Sequence, residues 1–239
     1  MLHIQKHLSQ FNASTPSDRL YPSRSSGRYY VLNKLRSHLE FVVNKYLREK
    51  KDLVLVDFGC GSMPYRSLFE PYVASYLGVD LPGNEKADLI ISPDYELQLP
   101  KNYADIVLST QVLEHVDTPL AYLDCCYRTL KPGGILILST HGCWVYHPDP
   151  QDYWRWTSGG LRKILAESGF RIEGIHGLVG LAPTGMQLFQ DALIPRIPPL
   201  IRPLFVGVFQ LFIALLDKIH SSAERDEDAC LFVSVCFKS

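Results

Sequence analysis

The sequence predicts an α/β fold, a doubly wound and mostly parallel seven-stranded sheet that carries a C-terminal apolar helical insertion. Three observations predict it. Short apolar runs recur at Leu53–Phe58, Ser75–Asp80, Asp88–Ile91, Ala104–Ser109 and Gly134–Thr140, with later ones at Phe170–Leu178 and Ala229–Lys238. Such runs are the mark of strands covered on both faces. Helical periods alternate with them, and Asp57 and Asp80 close two of them. Ligands of such sheets sit beyond the carboxyl ends of the strands, where the strand order reverses.

Each element follows in order. Residues 1–27 are rich in Ser, Pro and Arg and read as a loose arm. From Tyr29 to about Lys50, Val31, Leu35, Leu39, Val42 and Val43 recur at helical spacing. The division expected is an arm and helix over 1–51 and a main domain over 52–239. Between the strands ending at Ser109 and beginning at Gly134, Leu120, Leu123, Cys126, Tyr127 and Leu130 form a helical stripe. Thr118 or Asp117 suits its cap, Pro119 its first turn, and Pro132-Gly133-Gly134 its end. Another helix is expected over Ser158–Ser168.

Bulk properties narrow the function. A chain of 239 residues makes one sizeable core. Its 46% apolar and 21% charged composition is that of a globular protein, and its net charge of −1 argues against nucleic acid as a partner. Lys and Arg outnumber Asp and Glu before residue 52, which leaves the main domain acidic. The six cysteines show no CxxC spacing and sit mostly in apolar runs, as buried reduced thiols do. MLHIQKHLSQ lacks the apolar core of a signal peptide, and no run reaches the ~18–20 apolar residues of a membrane span. A cytoplasmic location is expected, with room for a peripheral position at the inner face of the membrane.

The chemistry begins at VLVDFGCGSMPY. Gly59 and Gly61 permit a tight strand-to-helix turn and close approach of a ligand to the backbone, while the third glycine of a dinucleotide fingerprint is missing. Asp80, ending the second strand, is placed to accept hydrogen bonds from two ribose hydroxyls. Together with LGVD, YADIVLSTQVLEHV and LKPGGILILST, this stretch resembles the class I S-adenosylmethionine-dependent methyltransferases, over roughly Leu53 to Phe170. It is most similar to the small-molecule group with an LEH segment after the fourth strand. HPDPQDYWRWTSGGLRKILAESGF is similar to bacterial members of polysaccharide pathways.

The resemblance implies a Rossmann-like methyltransferase fold with S-adenosyl-L-methionine as cofactor. It gives Asp57, Gly59 and Gly61 to the methionine part and Asp80 to the ribose, with Cys60 and Leu81 in the same cofactor set. Asp94 falls to the adenine, although one extra residue separates it from Leu99-Pro100. Gln111 falls to the floor beneath the methyl group. The missing third glycine agrees with a cofactor that has no pyrophosphate.

Methyl transfer needs alignment, exclusion of water and, for a hydroxyl acceptor, removal of a proton. Thr140–Thr157 overhangs the expected crevice with histidines, aspartates and aromatics. His147 or His141 is the candidate general base, with Asp152 orienting an imidazole. Trp144, Tyr153 and Arg155 are candidate acceptor contacts, Arg155 for an acidic group. The competing reading makes His147–Pro150 a rigid turn that Asp152 and Arg155 hold shut. Some quinone-pathway O-methyltransferases bind magnesium through ExxEH; Gln111-Val112-Leu113-Glu114-His115 replaces the first carboxylate with an amide, so no metal is expected.

The apolar insertion spans 179–226. Leu204–Leu216 is thirteen residues long, broken only by Gln210, and as a helix reaches ~20 Å at 1.5 Å per residue. Three readings stay open: burial over the sheet or in a homodimer interface, a peripheral membrane contact through 193–217, or a wall of a pocket for a lipid-linked acceptor. The function expected is methylation of a small or lipid-linked acceptor, at a sugar oxygen; the rival is a cofactor-binding partner without turnover.

Overall fold

Residues 16–239 are described in the computed structural model, and the beginning of the expected arm lies outside them. From Pro16 the segment is not loose. Pro16–Leu20 forms a helical turn, α1, and Leu20 is buried in the same core as the helix that follows. That helix, α2 (Tyr29–Tyr46), buries Val31, Leu35, Leu39, Val42 and Val43. There follow β1 (Leu53–Phe58), the single turn α3 (Arg66–Phe69), β2 (Val73–Asp80), β3 (Leu89–Ile90) and β4 (Ala104–Thr110). Next come α4 (Pro119–Thr129), β5 (Leu130–His141), α5 (Ser158–Glu167) and β6 (Phe170–Gly180). The hairpin of α6 (Leu181–Leu193) and α7 (Arg202–Asp217), the short α8 (Ser222–Glu227) and β7 (Ala229–Lys238) complete the chain.

The sheet has seven strands in the order β3-β2-β1-β4-β5-β7-β6. β1 pairs in parallel with β2 and β4, and β4 with β5, whereas β7 lies antiparallel between β5 and β6. The order reverses between β1 and β4, so the crevice opens beside Asp57, Asp80 and Gln111. Strand alternation splits the apolar core in two. Leu55, Ile106, Leu108 and Ile137 face α2, while Val56, Phe58, Val107, Leu136 and Leu138 face α4 and α5. α2 therefore closes one face of the sheet.

Two local expectations change. Pro132-Gly133-Gly134 does not end a helix: β5 begins at Leu130 and runs through the triplet, with pairing that jumps from Ala104–Leu130 to Ile106–Ile135. A bulge at this point absorbs Gly133 at φ +74°. Thr118 occupies the N-cap of α4 without a side-chain bond, and the Asp117 carboxylate accepts the Tyr95 hydroxyl instead of capping the helix.

The long apolar helix of the insertion is not buried over the sheet. α7 packs on α6 and α2, buries Val206, Gln210, Ile213 and Asp217, and leaves Leu204, Leu211 and Phe212 exposed. Buried polar groups hold it there. Gln187, Gln190 and Gln210 each donate a side-chain amide to the Gly27 carbonyl at 2.9–3.0 Å, and Gln210 accepts the Tyr30 N–H at 2.8 Å. Asp217 accepts from Lys34 Nζ at 2.8 Å, the Tyr30 hydroxyl at 2.9 Å and the Gly180 N–H at 3.0 Å. No helix among the described residues is long and apolar enough to cross a membrane.

Candidate active site

β1 delivers Asp57 to the crevice and then turns through Gly59 (φ +66°) and Gly61 (φ +51°), a left-handed backbone that L side chains resist. A Cβ on Gly59 would meet Val112 Cγ2 at 2.5 Å, whereas one on Gly61 would have nothing within 4 Å. The loop is thus closed against the protein at one glycine and open at the other. Gly59 and Cys60 donate their N–H groups to the Val79 carbonyl at 2.8 and 3.1 Å, tying the turn to the end of β2. Asp80 completes the tie: Oδ2 accepts from the Gly61 N–H at 2.9 Å and Asn84 Nδ2 at 2.7 Å, and Oδ1 from the Leu81 N–H at 2.8 Å.

Asp57 differs. It is 2% exposed. Its Oδ2 accepts the Tyr76 hydroxyl at 2.7 Å, while its Oδ1 is buried with no partner. Burial raises the carboxyl to about 7, against the Tyr76 bond that favours the charged form. Burial and the nearby Asp57 and Asp80 push the Cys60 thiol up to about 12, so it is not a nucleophile. Gln111 sits at φ +58°, its N–H and side-chain amide donating to the Ser139 carbonyl and hydroxyl at 2.9 and 3.0 Å. Asp94 is exposed in the turn over 92–95.

The second cluster hangs on Glu114, which is 0% exposed. Oε2 accepts the Thr140 hydroxyl at 2.8 Å and Oε1 pairs with His141 Nδ1 at 2.5 Å. Its carbonyl accepts the N–H groups of Tyr153 and Trp154 at 2.9 and 3.1 Å. One residue therefore orients an imidazole and anchors the overhanging loop. Burial works to raise the Glu114 carboxyl, but His141 beside it prevails and holds it below the usual carboxylate range. Burial lowers His141 by more than Glu114 raises it. At neutral pH the pair is a carboxylate and a neutral imidazole; with Nδ1–H donated to Glu114, Nε2 keeps its lone pair.

His141 stacks on Trp144 with ring centroids 5.0 Å apart, and His147 meets it edge-on at 4.7 Å. Burial and the neighbouring His141 lower His147 to about 4. Asp152 Oδ2 lies 3.4 Å from His147 Nδ1, a contact within ion-pair distance but without a hydrogen bond to the ring. The carboxylate accepts the backbone N–H of His147 at 2.8 Å and both Nη atoms of Arg155 at 2.6 Å. Arg155 is likewise spent inside the loop, donating to the Trp144 and Val145 carbonyls at 3.1 and 2.6 Å. The Asp152–Arg155 pair holds the loop closed, and Arg155 does not present an idle guanidinium to an acceptor. Glu114, His115 and His147 bring metal-ligand atoms within 4.8 Å of one another, but the Glu114 carboxylate in that trio already accepts from Thr140 and His141.

A cavity of about 510 Å³ lies between this cluster and the N-terminal segment, within the range of small-molecule sites. Gln111, His115, His141, Trp144 and His147 line one side, and Arg28, Val31, Leu35 and Ile194 the other. Tyr153, Asp152 and Arg155 do not line it, nor do Asp57, Gly59, Cys60, Gly61, Asp80, Leu81 or Asp94. The site has two parts, an acid-and-glycine crevice and an imidazole-lined cavity, the latter also lined by Gln111 and Tyr65. The sequence reading missed Glu114 as orienting group and Arg28, whose guanidinium lies 4.2 Å over the Trp144 ring. An acid set against Val112 and Leu113, four residues past the end of β4, was the available signal for Glu114. Nothing local pointed to Arg28.

A family profile described as "Methyltransferase domain" matches residues 28–174. A ubiquinone biosynthesis O-methyltransferase of Parvibaculum lavamentivorans is 25% identical over 183 residues, covering 71% of this chain and 63% of that protein. One from Cereibacter sphaeroides is 36% identical over 106 residues, covering 37% of this chain and 41% of that protein. The alignments thus span less than two thirds of these relatives' length. Among solved structures, an S-adenosylmethionine-dependent methyltransferase from Archaeoglobus fulgidus superposes with a TM-score of 0.53 at 17% identity, covering 93% of this chain and 97% of that one.

Proposed function

The chain belongs to the methyltransferase-domain family, and on that premise we propose that it is an S-adenosylmethionine-dependent methyltransferase that methylates a hydroxyl oxygen of a small or lipid-linked acceptor, with a sugar hydroxyl as the acceptor group. The residues of the crevice fit the cofactor. Asp57 Oδ1 is a buried acceptor without a donor, Gly61 leaves open space, and Asp80 keeps one unused lone pair, on Oδ1. Asp57, the Gly59–Gly61 turn and Asp80 would hold it. When bound, the cofactor supplies a methyl group activated by a sulfonium.

The observation that carries the acceptor assignment is the buried Glu114–His141 pair on the cavity wall. Glu114 fixes Nδ1–H, so Nε2 is the basic atom, and His141 takes the hydroxyl proton as that oxygen becomes a nucleophile. Trp144 and His147 pack on the ring and limit its rotation. The Asp152–Arg155 clamp holds the loop that brings Trp144 and His147 to the cavity wall.

A second reading, a phenolic hydroxyl, is favoured by the relatives named for ubiquinone biosynthesis. An alcohol gives up its proton far less readily than a phenol of pKa about 10, so an oriented base matters more to the alcohol. The test incubates the protein and isotopically methyl-labelled cofactor with polar and lipid extracts and locates the label by mass spectrometry. Label on a sugar oxygen that is lost in Glu114→Gln, with cofactor affinity unchanged by calorimetry, supports the assignment. Label on a phenol moves it to the second reading. Cofactor binding with no labelled product in any extract overturns both and leaves the binding-only rival.

A further inference from the structure

The α6–α7 hairpin wears its amphipathicity inside out. Inward it buries Gln187, Gln190, Gln210 and Asp217, each hydrogen-bonded. Outward it shows Phe189, Leu204, Leu211, Phe212 and Leu215. Its tip, Pro198-Pro199-Leu200-Ile201, holds Leu200 at 92% exposure. A water-facing helix has the opposite pattern, and contiguous apolar patches of this kind mark interaction surfaces.

Charge identifies the partner. Between Leu181 and Leu216 the only charged residues are Asp191, Arg196 and Arg202. Asp191 is paired inward with Arg28, which leaves the tip apolar and cationic. A two-fold contact through the tip would set Arg196 and Arg202 against their own copies. Anionic headgroups complement them, and the apolar residues between can enter the acyl boundary. Beyond the far end of α7, about 24 Å from the tip at 1.5 Å per residue, the exposed acids Glu224, Glu227 and Asp228 outnumber the exposed Lys218. That sets the polarity: tip towards the lipid, α8 away from it. Asp191 and Ile194, at the tip end of α6, also line the imidazole-walled cavity.

We infer that the α6–α7 hairpin docks the protein on an anionic bilayer surface, tip first, with the acceptor cavity beside the lipid. The docking is independent of which hydroxyl is methylated, and its test involves no turnover.

Flotation with phosphatidylcholine vesicles, with and without phosphatidylglycerol, tests it. The wild-type chain should float with the mixed vesicles, less with phosphatidylcholine alone, and less in high salt. Leu200→Asp with Leu204→Asp should reduce partitioning at least tenfold, and Arg196→Glu with Arg202→Glu should remove the preference for phosphatidylglycerol. Calorimetry with S-adenosylmethionine checks that each variant is folded. Wild type that stays with the soluble fraction overturns the inference, as does undiminished flotation of the Leu200/Leu204 variant. A stable dimer that this variant splits, without vesicle binding by wild type, overturns it in favour of a second copy.

Discussion

Replacing Asp57 with Asn should stabilise the cofactor-free protein at alkaline pH and leave it nearly unchanged at acid pH. The carboxyl is raised from 3.8 to about 7 by burial. Below 3.8 both folded and unfolded chains carry it protonated, and ionisation costs the fold nothing. Between 3.8 and 7 the unfolded chain ionises first, so stability falls as pH rises, and above 7 the full penalty is present. At about 1.4 kcal/mol per pH unit, that penalty reaches about 4 kcal/mol. Asparagine matches the protonated acid in shape, and its amide oxygen can still accept the Tyr76 hydroxyl, which now lies 2.7 Å from Asp57 Oδ2. The variant should match wild type near pH 4 and exceed it by up to about 4 kcal/mol at pH 8, a shift of about 8–16 °C in Tm for a chain this size. Urea denaturation of both proteins from pH 4 to pH 8 reads the difference directly. A difference that does not vary with pH would refute the reasoning, because the gain is assigned wholly to an ionisation that asparagine cannot undergo. The same substitution should weaken binding of S-adenosylmethionine, since a function-bearing acid is removed.

The remaining predictions concern the other arms of the site. Asp80→Ala should weaken cofactor affinity at least tenfold by calorimetry, and unchanged affinity would remove Asp80 from the ribose. In wild type the acid limb of the kcat profile should lie below the ordinary histidine value of about 6.5, because burial holds His141 low and proton uptake there silences the base; a limb at or above 6.5 would point to another group. Gln210→Leu strips the Tyr30 N–H of its acceptor and one donor from the Gly27 carbonyl, so urea denaturation should show a loss of about 1–3 kcal/mol.

Much of the fold was legible because its signals are local. The runs at Leu53–Phe58 and Ala229–Lys238 became strands with those bounds, since a strand buried on both faces has to be apolar throughout. The crevice was legible for a related reason: an acid ending an apolar strand before two glycines has few other uses. What escaped depended on partners far along the chain. Glu114 finds His141 across 27 residues, and Asp217 finds Tyr30 across 187. Asp152 and Arg155 carried the residue types expected of a binding pair, yet they satisfy each other, because two complementary charges three residues apart meet more readily than either meets a diffusing ligand.

The apolar run at Leu204–Leu216 shows the deeper difficulty. Hydropathy reports how greasy a helix is, not which way it faces. Gln210 looked like a lone interruption; in the fold it points inward and gathers Gly27, Gln187 and Gln190 around it. A polar residue at the centre of an apolar helix is costly to bury unless each of its groups is paired, and here the pairing is what turns Leu204, Leu211 and Phe212 outward. Interior hydrogen bonding thus joins the burial of Val206 and Ile213 in fixing the orientation of the insertion. For that reason Gln210→Leu should do more than lower stability: it leaves the Tyr30 N–H and the Gln187 and Gln190 amide oxygens without the partner that docks this face, so the helix is held in its present orientation less firmly, and flotation with phosphatidylglycerol vesicles should weaken alongside the loss in urea resistance. If stability falls while flotation is retained in full, the glutamine contributes only to stability, and the orientation is set by packing of Val206 and Ile213 instead.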